Sequence, residues 1–115
     1  MKRVLLLLAD GFEAYEAAAF TDVMGFASAF GDEEIEVVTV GLHPEIRCTF
    51  GFTIKPELLL GDAMDEEFDA VAVPGGFERA GFYNDAYSDA FVDVFRRFAA
   101  EGKPIAAVCT GVLPV

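Results

Sequence analysis

A chain of 115 residues, 54% of them apolar, is long enough to build one hydrophobic core and too apolar for a disordered tail. Its 20 acidic residues against 8 basic ones give a formal net charge of -12, which repels phosphate backbones and anionic headgroups and argues against nucleic acid or membrane as partners. Much of the acid gathers in runs such as Asp32-Glu33-Glu34 and Asp65-Glu66-Glu67, the pattern of a solvated surface rather than an acidic binding face.

The apolar run Val4 to Ala9 follows Met1-Lys2-Arg3 but is short, lacks a small-residue cleavage site and leads directly into Asp10-Gly11; it predicts a buried strand over Arg3 to Ala9, not a secretory leader. A helix is expected from Ala14 to Phe30, where Ala17, Phe20, Met24, Ala27 and Phe30 recur at helical spacing. Glu36 to Val40 reads as the second strand. Arg47 to Lys55 alternates weakly, as a β-hairpin or edge strand would, and Glu57 to Met64 suits a short helix. Ala70 to Val73 is a further strand. Tyr87, Phe91, Val94, Phe95 and Phe98 then mark one face of a helix, with Arg96-Arg97 near its C-terminal end and Gly102 to stop it. Pro104 to Val108 reads as the last strand.

Strands that lack strict alternation and are separated by helices predict a doubly wound α/β fold with a mostly parallel sheet and helices on both faces. Ligands in such sheets bind beyond the carboxyl ends of the strands. That rule selects Asp10 to Glu16, Pro74-Gly75-Gly76-Phe77 and Cys109-Thr110-Gly111.

In the run Ala106-Ala107-Val108-Cys109-Thr110-Gly111, a cysteine stands at the turn after a buried strand, between small Ala107 and Gly111. This is the logic of a nucleophile elbow: a sharp turn lifts the side chain above the sheet, and the N-terminus of the next helix favours an anion there. The plainer reading is a buried cysteine at a strand end. Gly75 and Gly76 leave backbone N–H groups unshielded, which suits an oxyanion or carboxylate, or else form a tight turn. Neither a dinucleotide fingerprint nor a phosphate-binding loop is present. Glu13 at the start of a helix needs no role beyond complementing the dipole, whereas Glu16, a turn further on, is placed to reach across the strand ends and hydrogen-bond a thiolate. His43, the single histidine, lies in the Gly41-Leu42-His43-Pro44 loop and reads as exposed rather than catalytic, so no Ser-His-Asp or Cys-His-Asn set can be completed. Cys48 and Cys109 lack zinc-site or redox-pair spacing, no metal site is expected, and the default setting is a reducing cytoplasm.

The three loops in this order, Ala9-Asp10-Gly11-Phe12-Glu13 with Glu16, Val73-Pro74-Gly75-Gly76, and Ala106 to Gly111, resemble the ThiJ/PfpI superfamily over essentially the whole chain. The resemblance implies a flavodoxin-like sheet, Cys109 as nucleophile, Glu16 as the acid that hydrogen-bonds it, and a backbone anion site at Gly75, Gly76 and Thr110. Asp22 also resembles a family acid of the first helix. Members of the protease-like branch carry a histidine directly after the cysteine, where Thr110 stands here, which weakens a peptidase reading. The chain runs only six residues past Cys109, so residues 1–115 are expected to be the N-terminal part of a single domain.

By this resemblance the leading function is a cysteine-dependent, cofactor-independent enzyme, lyase or hydrolase, acting on small reactive carbonyls in the manner of glyoxalases and deglycases, within a cytoplasmic homodimer. The alternatives are a redox-sensing stress protein that oxidises Cys109 and a non-catalytic ligand-binding module. A glutamine amidotransferase shares the elbow but would need a downstream histidine.

Overall fold

A computed structural model describes all residues from Met1 to Val115. Five parallel strands form the sheet: β1 (Lys2–Leu8), β2 (Ile35–Gly41), β5 (Leu58–Leu59), β6 (Ala70–Val73) and β7 (Ile105–Ala107), in the spatial order β5-β2-β1-β6-β7. Strand β1 is central, pairing Leu5 with Val38 on one side and with Val71 on the other. Because successive strand residues point to opposite faces, its apolar run serves two cores at once. Leu5, Leu7 and Ala9 join Val38, Val40, Val71 and Val73 beneath α2 (Leu60–Ala63), α3 (Phe82–Ala86) and α4 (Asp89–Ala100). Val4, Leu6 and Leu8 face the opposite way, toward Ala17 of α1 (Ala14–Phe30) and toward Ile46 and Cys48. Helices therefore cover both faces, as expected for a doubly wound sheet.

Helix α4 has the amphipathic pattern that the sequence predicts. Phe91, Val94, Phe95 and Phe98 are buried, each worth about 1.5–3 kcal/mol in transfer from water, and the Ser88 hydroxyl caps the helix by accepting from Phe91 N–H at 3.3 Å. Gly102, at φ 69°, ends the segment in the left-handed region that glycine adopts without penalty. Tyr87, expected within this helix, precedes it and is exposed.

Two further differences from the sequence reading have physical causes. Helix α1 has the expected bounds, but Ala17 alone is buried and Phe30 is 84% exposed, since the helix is apolar nearly all round and periodicity does not select its inward face. Glu57 to Met64 divides into strand β5 and the single turn of α2, because Leu58 and Leu59 find a parallel partner in Val40 and Gly41. The segment from Arg47 to Lys55 forms the hairpin that its weak alternation allows, β3 (Ile46–Arg47) paired antiparallel with β4 (Thr53–Ile54) and beginning one residue earlier, at Ile46. No helix is long and apolar enough to cross a membrane.

The chain leaves β1 toward β2 on one side and returns to β6 on the other. The carboxyl ends of β1 and β6 thus flank the topological switch point, where open α/β sheets hold their ligands.

Candidate active site

Cys109 follows β7 with φ 51°, the one residue other than glycine in the left-handed region. For a side chain with a Cβ this conformation costs about 1–3 kcal/mol and persists only where its surroundings impose it. They do so here. Val108 N–H donates to Val73 O at 3.3 Å, and Gly111 N–H to Val108 O at 2.9 Å. A Cβ on Gly111 would stand 2.7 Å from Val73 O, so only glycine lets the turn close onto β6. The Cys109 side chain is consequently exposed above the strand ends, as in an elbow, and is a free thiol; Cys48 is a buried one, and no disulfide joins them.

The glycine loop after β6 is locked from two sides. Gly75 N–H donates to Glu16 Oε1 at 2.8 Å, Gly76 N–H donates to Thr110 Oγ1 at 2.9 Å, and the Thr110 hydroxyl donates to Gly76 O at 3.0 Å. A Cβ at Gly75 would lie 2.8 Å from both Glu16 Oε1 and Thr110 Oγ1, so a side chain there is excluded by the contacts that organise the loop. Both glycine N–H groups thus serve as tethers, joining helix α1, the β6 loop and the cysteine turn. Glu13 N–H adds a fourth tie by donating to Gly75 O at 2.7 Å.

The structure brings Glu16, Gly76 and Cys109 to one small pocket, completed by Glu13, Thr49, Phe50 and Phe77. Gly75 and Thr110 do not line it and are joined to its lining residues Glu16 and Gly76 by the bonds just described. The hairpin residues arrive because Gly11 N–H donates to Arg47 O at 2.7 Å and Thr49 N–H to Phe12 O at 2.8 Å, pinning the hairpin to the loop after β1. Its tip then sets Phe50 against Phe77, with ring centroids 6.2 Å apart. The sequence reading gave no role to Thr49, Phe50 or Phe77; two exposed phenylalanines beside glycines were the available signal. Asp22 is exposed on α1 and does not line this pocket.

A second cluster sits at the same end of the sheet. His43 is half-buried rather than free, its Nε2 2.9 Å from Asp85 Oδ1 and 3.7 Å from Asp10 Oδ2. The hydrogen bond to Asp85 raises the imidazole pKa above its ordinary value; burial opposes the rise, and the negative charges of Asp85 and Asp10 add to it.

The DJ-1/PfpI family model matches residues 2–114. The chain is 30% identical over 112 residues to a deglycase of Pyrococcus abyssi, covering 95% of this chain and 61% of that protein. It is 29% identical over 107 residues to the protein DJ-1 homolog B of Arabidopsis thaliana, covering 93% of this chain and 23% of the relative. Among solved structures, oxidized Toxoplasma gondii DJ-1 superposes with a TM-score of 0.83 at 26% identity, over 100% of this chain and 59% of the other. Drosophila melanogaster DJ-1beta does so with a TM-score of 0.83 at 29% identity, over 98% of this chain and 57% of the other. The chain therefore spans between about a quarter and three fifths of the length of these relatives. With the sheet order, the elbow cysteine and a match along nearly its whole length, this chain belongs to the DJ-1/PfpI family.

Proposed function

We propose that the full protein is a cysteine-dependent enzyme acting on small reactive carbonyl compounds. The observation that carries this reading is the strained, exposed Cys109 sharing a pocket with Glu16. A strained backbone conformation held by surrounding bonds supports a functional rather than a filling role for this cysteine. The deglycase name of the Pyrococcus abyssi relative points the same way.

In this chemistry the Cys109 thiolate attacks an aldehyde carbon, forming a C–S bond. The carbonyl π pair moves onto oxygen, which takes up a proton to give a hemithioacetal. In this reading Glu16, which lines the same pocket as Cys109, relays that proton, and its bond to Gly75 N–H supports the role by fixing one carboxyl oxygen. Developing negative charge on oxygen would draw on backbone N–H groups of Gly75, Gly76 and Thr110. The two glycine donors are engaged with Glu16 and Thr110 in this state, so they would be shared or released as the charge forms. Thr110 stands directly after Cys109 and carries no imidazole to act as base, which weakens a peptide-hydrolysis reading, and its hydroxyl serves instead to tether Gly76.

We further take the protein to act as a homodimer, since α1 exposes Val23, Phe26 and Phe30 along its outer side. The direct test of the activity is methylglyoxal consumption by the full-length protein and its Cys109→Ala variant. Turnover that disappears with the thiol supports the reading, and equal rates defeat it. A redox-sensing role also draws on the exposed thiol, and peroxide titration followed by intact mass separates it from catalysis.

A further inference from the structure

We infer that Asp10, His43 and Asp85 form a binding site for a divalent transition-metal ion of the zinc type, separate from the cysteine chemistry. The three residues come from distant points of the chain: the loop after β1, the loop after β2 and helix α3. Folding brings one ligand atom of each within 4.8 Å of the others. His43 Nε2 lies 2.9 Å and 3.0 Å from the two Asp85 oxygens and 3.7 Å from Asp10 Oδ2. Ligands bonded to one zinc ion at about 2.0–2.2 Å stand roughly 3–3.5 Å apart, so small movements suffice to seat an ion among these atoms.

The carboxylates are already oriented. Asp10 N–H donates to Asp85 Oδ2 at 2.8 Å, and Arg47 N–H donates to Asp10 Oδ1 at 3.0 Å. Each acid therefore has one oxygen fixed by the backbone, while Asp85 sets both of its oxygens against the imidazole and Asp10 turns Oδ2 toward it. Outer hydrogen bonds of this kind are how proteins aim metal ligands.

Charge favours the same conclusion. Asp85 is 7% exposed, and a buried carboxylate requires a positive counterpart. No lysine or arginine forms an ion pair with Asp85 or Asp10, so the single imidazole faces two carboxylates and, even protonated, leaves one negative charge uncompensated. A dication with neutral His43 balances both acids. Asp10 and His43 keep part of their surface in solvent, which supplies an entry path and room for water in the remaining positions. One imidazole nitrogen with two carboxylate oxygens suits zinc and its neighbours in the first row, whereas magnesium and calcium favour all-oxygen shells.

The experiment is a calorimetric titration of Zn²⁺ into the full-length protein carrying Cys109→Ala, which removes the exposed thiol as a competing ligand. The His43 ring resonances, assigned by their loss in His43→Gln, are followed in parallel. The expected result is one equivalent bound, a shift of the His43 resonances complete at that equivalent, and affinity at least tenfold weaker in His43→Gln and in Asp85→Asn. His43→Gln alters a half-exposed loop side chain, so it reports on binding even if Asp85→Asn fails to fold. Absence of Zn²⁺ binding, binding unchanged by His43→Gln, or Mg²⁺ bound as tightly as Zn²⁺ would each overturn the proposal.

Discussion

Gly75 N–H donates to Glu16 Oε1 across 2.8 Å, and this one bond ties the first helix to the loop that borders the cysteine turn. Glu16→Gln keeps an oxygen for Gly75 but replaces a carboxyl group, which can give and take a proton, with an amide that does neither. The variant is expected to fold with a melting temperature close to the parent's while carbonyl turnover falls about 10²-fold or more. Gly75→Ala acts on the same contact by sterics: its methyl would meet Glu16 and Thr110 at 2.8 Å, costing about 1–3 kcal/mol in stability. Urea unfolding of both variants beside methylglyoxal kinetics separates the chemical loss from the structural one.

The hydroxyl of Thr110 accepts from Gly76 N–H and donates to Gly76 O, so one side chain satisfies both polar groups of that residue. Thr110→Val preserves shape and deletes both bonds, and is expected to destabilise the protein by about 1–3 kcal/mol. Thr110→Ser restores the hydroxyl and should recover most of that loss. Chemical denaturation of the pair measures the difference, and equal stability of Thr110→Val and parent would show that the tether contributes nothing.

The His43–Asp85 pair predicts a pH dependence in chelator-treated protein. Because the folded-state pKa of His43 is raised by Asp85, its contribution is fully present below the ordinary value of 6.5 and is lost as pH rises through the raised value. Urea midpoints followed upward from below pH 6.5 should fall more in the parent than in His43→Gln. Parallel profiles would contradict the coupling.

The outer side of α1 offers Phe26 and Phe30, stacked with centroids 6.2 Å apart, together with Val23. Sedimentation of the full-length protein is expected to show a dimer that Phe26→Asp converts to monomer. A monodisperse parent monomer would contradict the assignment of this face.

Much of this architecture is legible in the sequence, and the boundary of the legible part is set by range. Helix α1 and strand β6 have the bounds that local pattern assigns them, and the phenylalanines of α4 are buried because a 3.6-residue period is a local property. The elbow is equally local, since a strand, a cysteine and a glycine occupy neighbouring positions. The Asp10, His43 and Asp85 cluster is different: its members are separated by whole elements, and only the parallel pairing of β1 with β2 and the return of the chain to α3 bring them together. The same holds for Phe50, which reaches Phe77 through hairpin hydrogen bonds to the loop after β1. The inward face of α1 is illegible for another reason, an apolar surface on nearly every side.

The central claim is that Cys109 is a reactive nucleophile coupled to Glu16, and the most direct measurement is the rate of iodoacetamide alkylation at Cys109 in the full-length protein, resolved by peptide mapping. Buried Cys48 serves as internal reference and a free thiol such as glutathione as external one. The account predicts modification of Cys109 faster than the free thiol at neutral pH, a rate altered by Glu16→Gln, and little reaction at Cys48. Alkylation of Cys109 no faster than glutathione, and unchanged by Glu16→Gln, would contradict it.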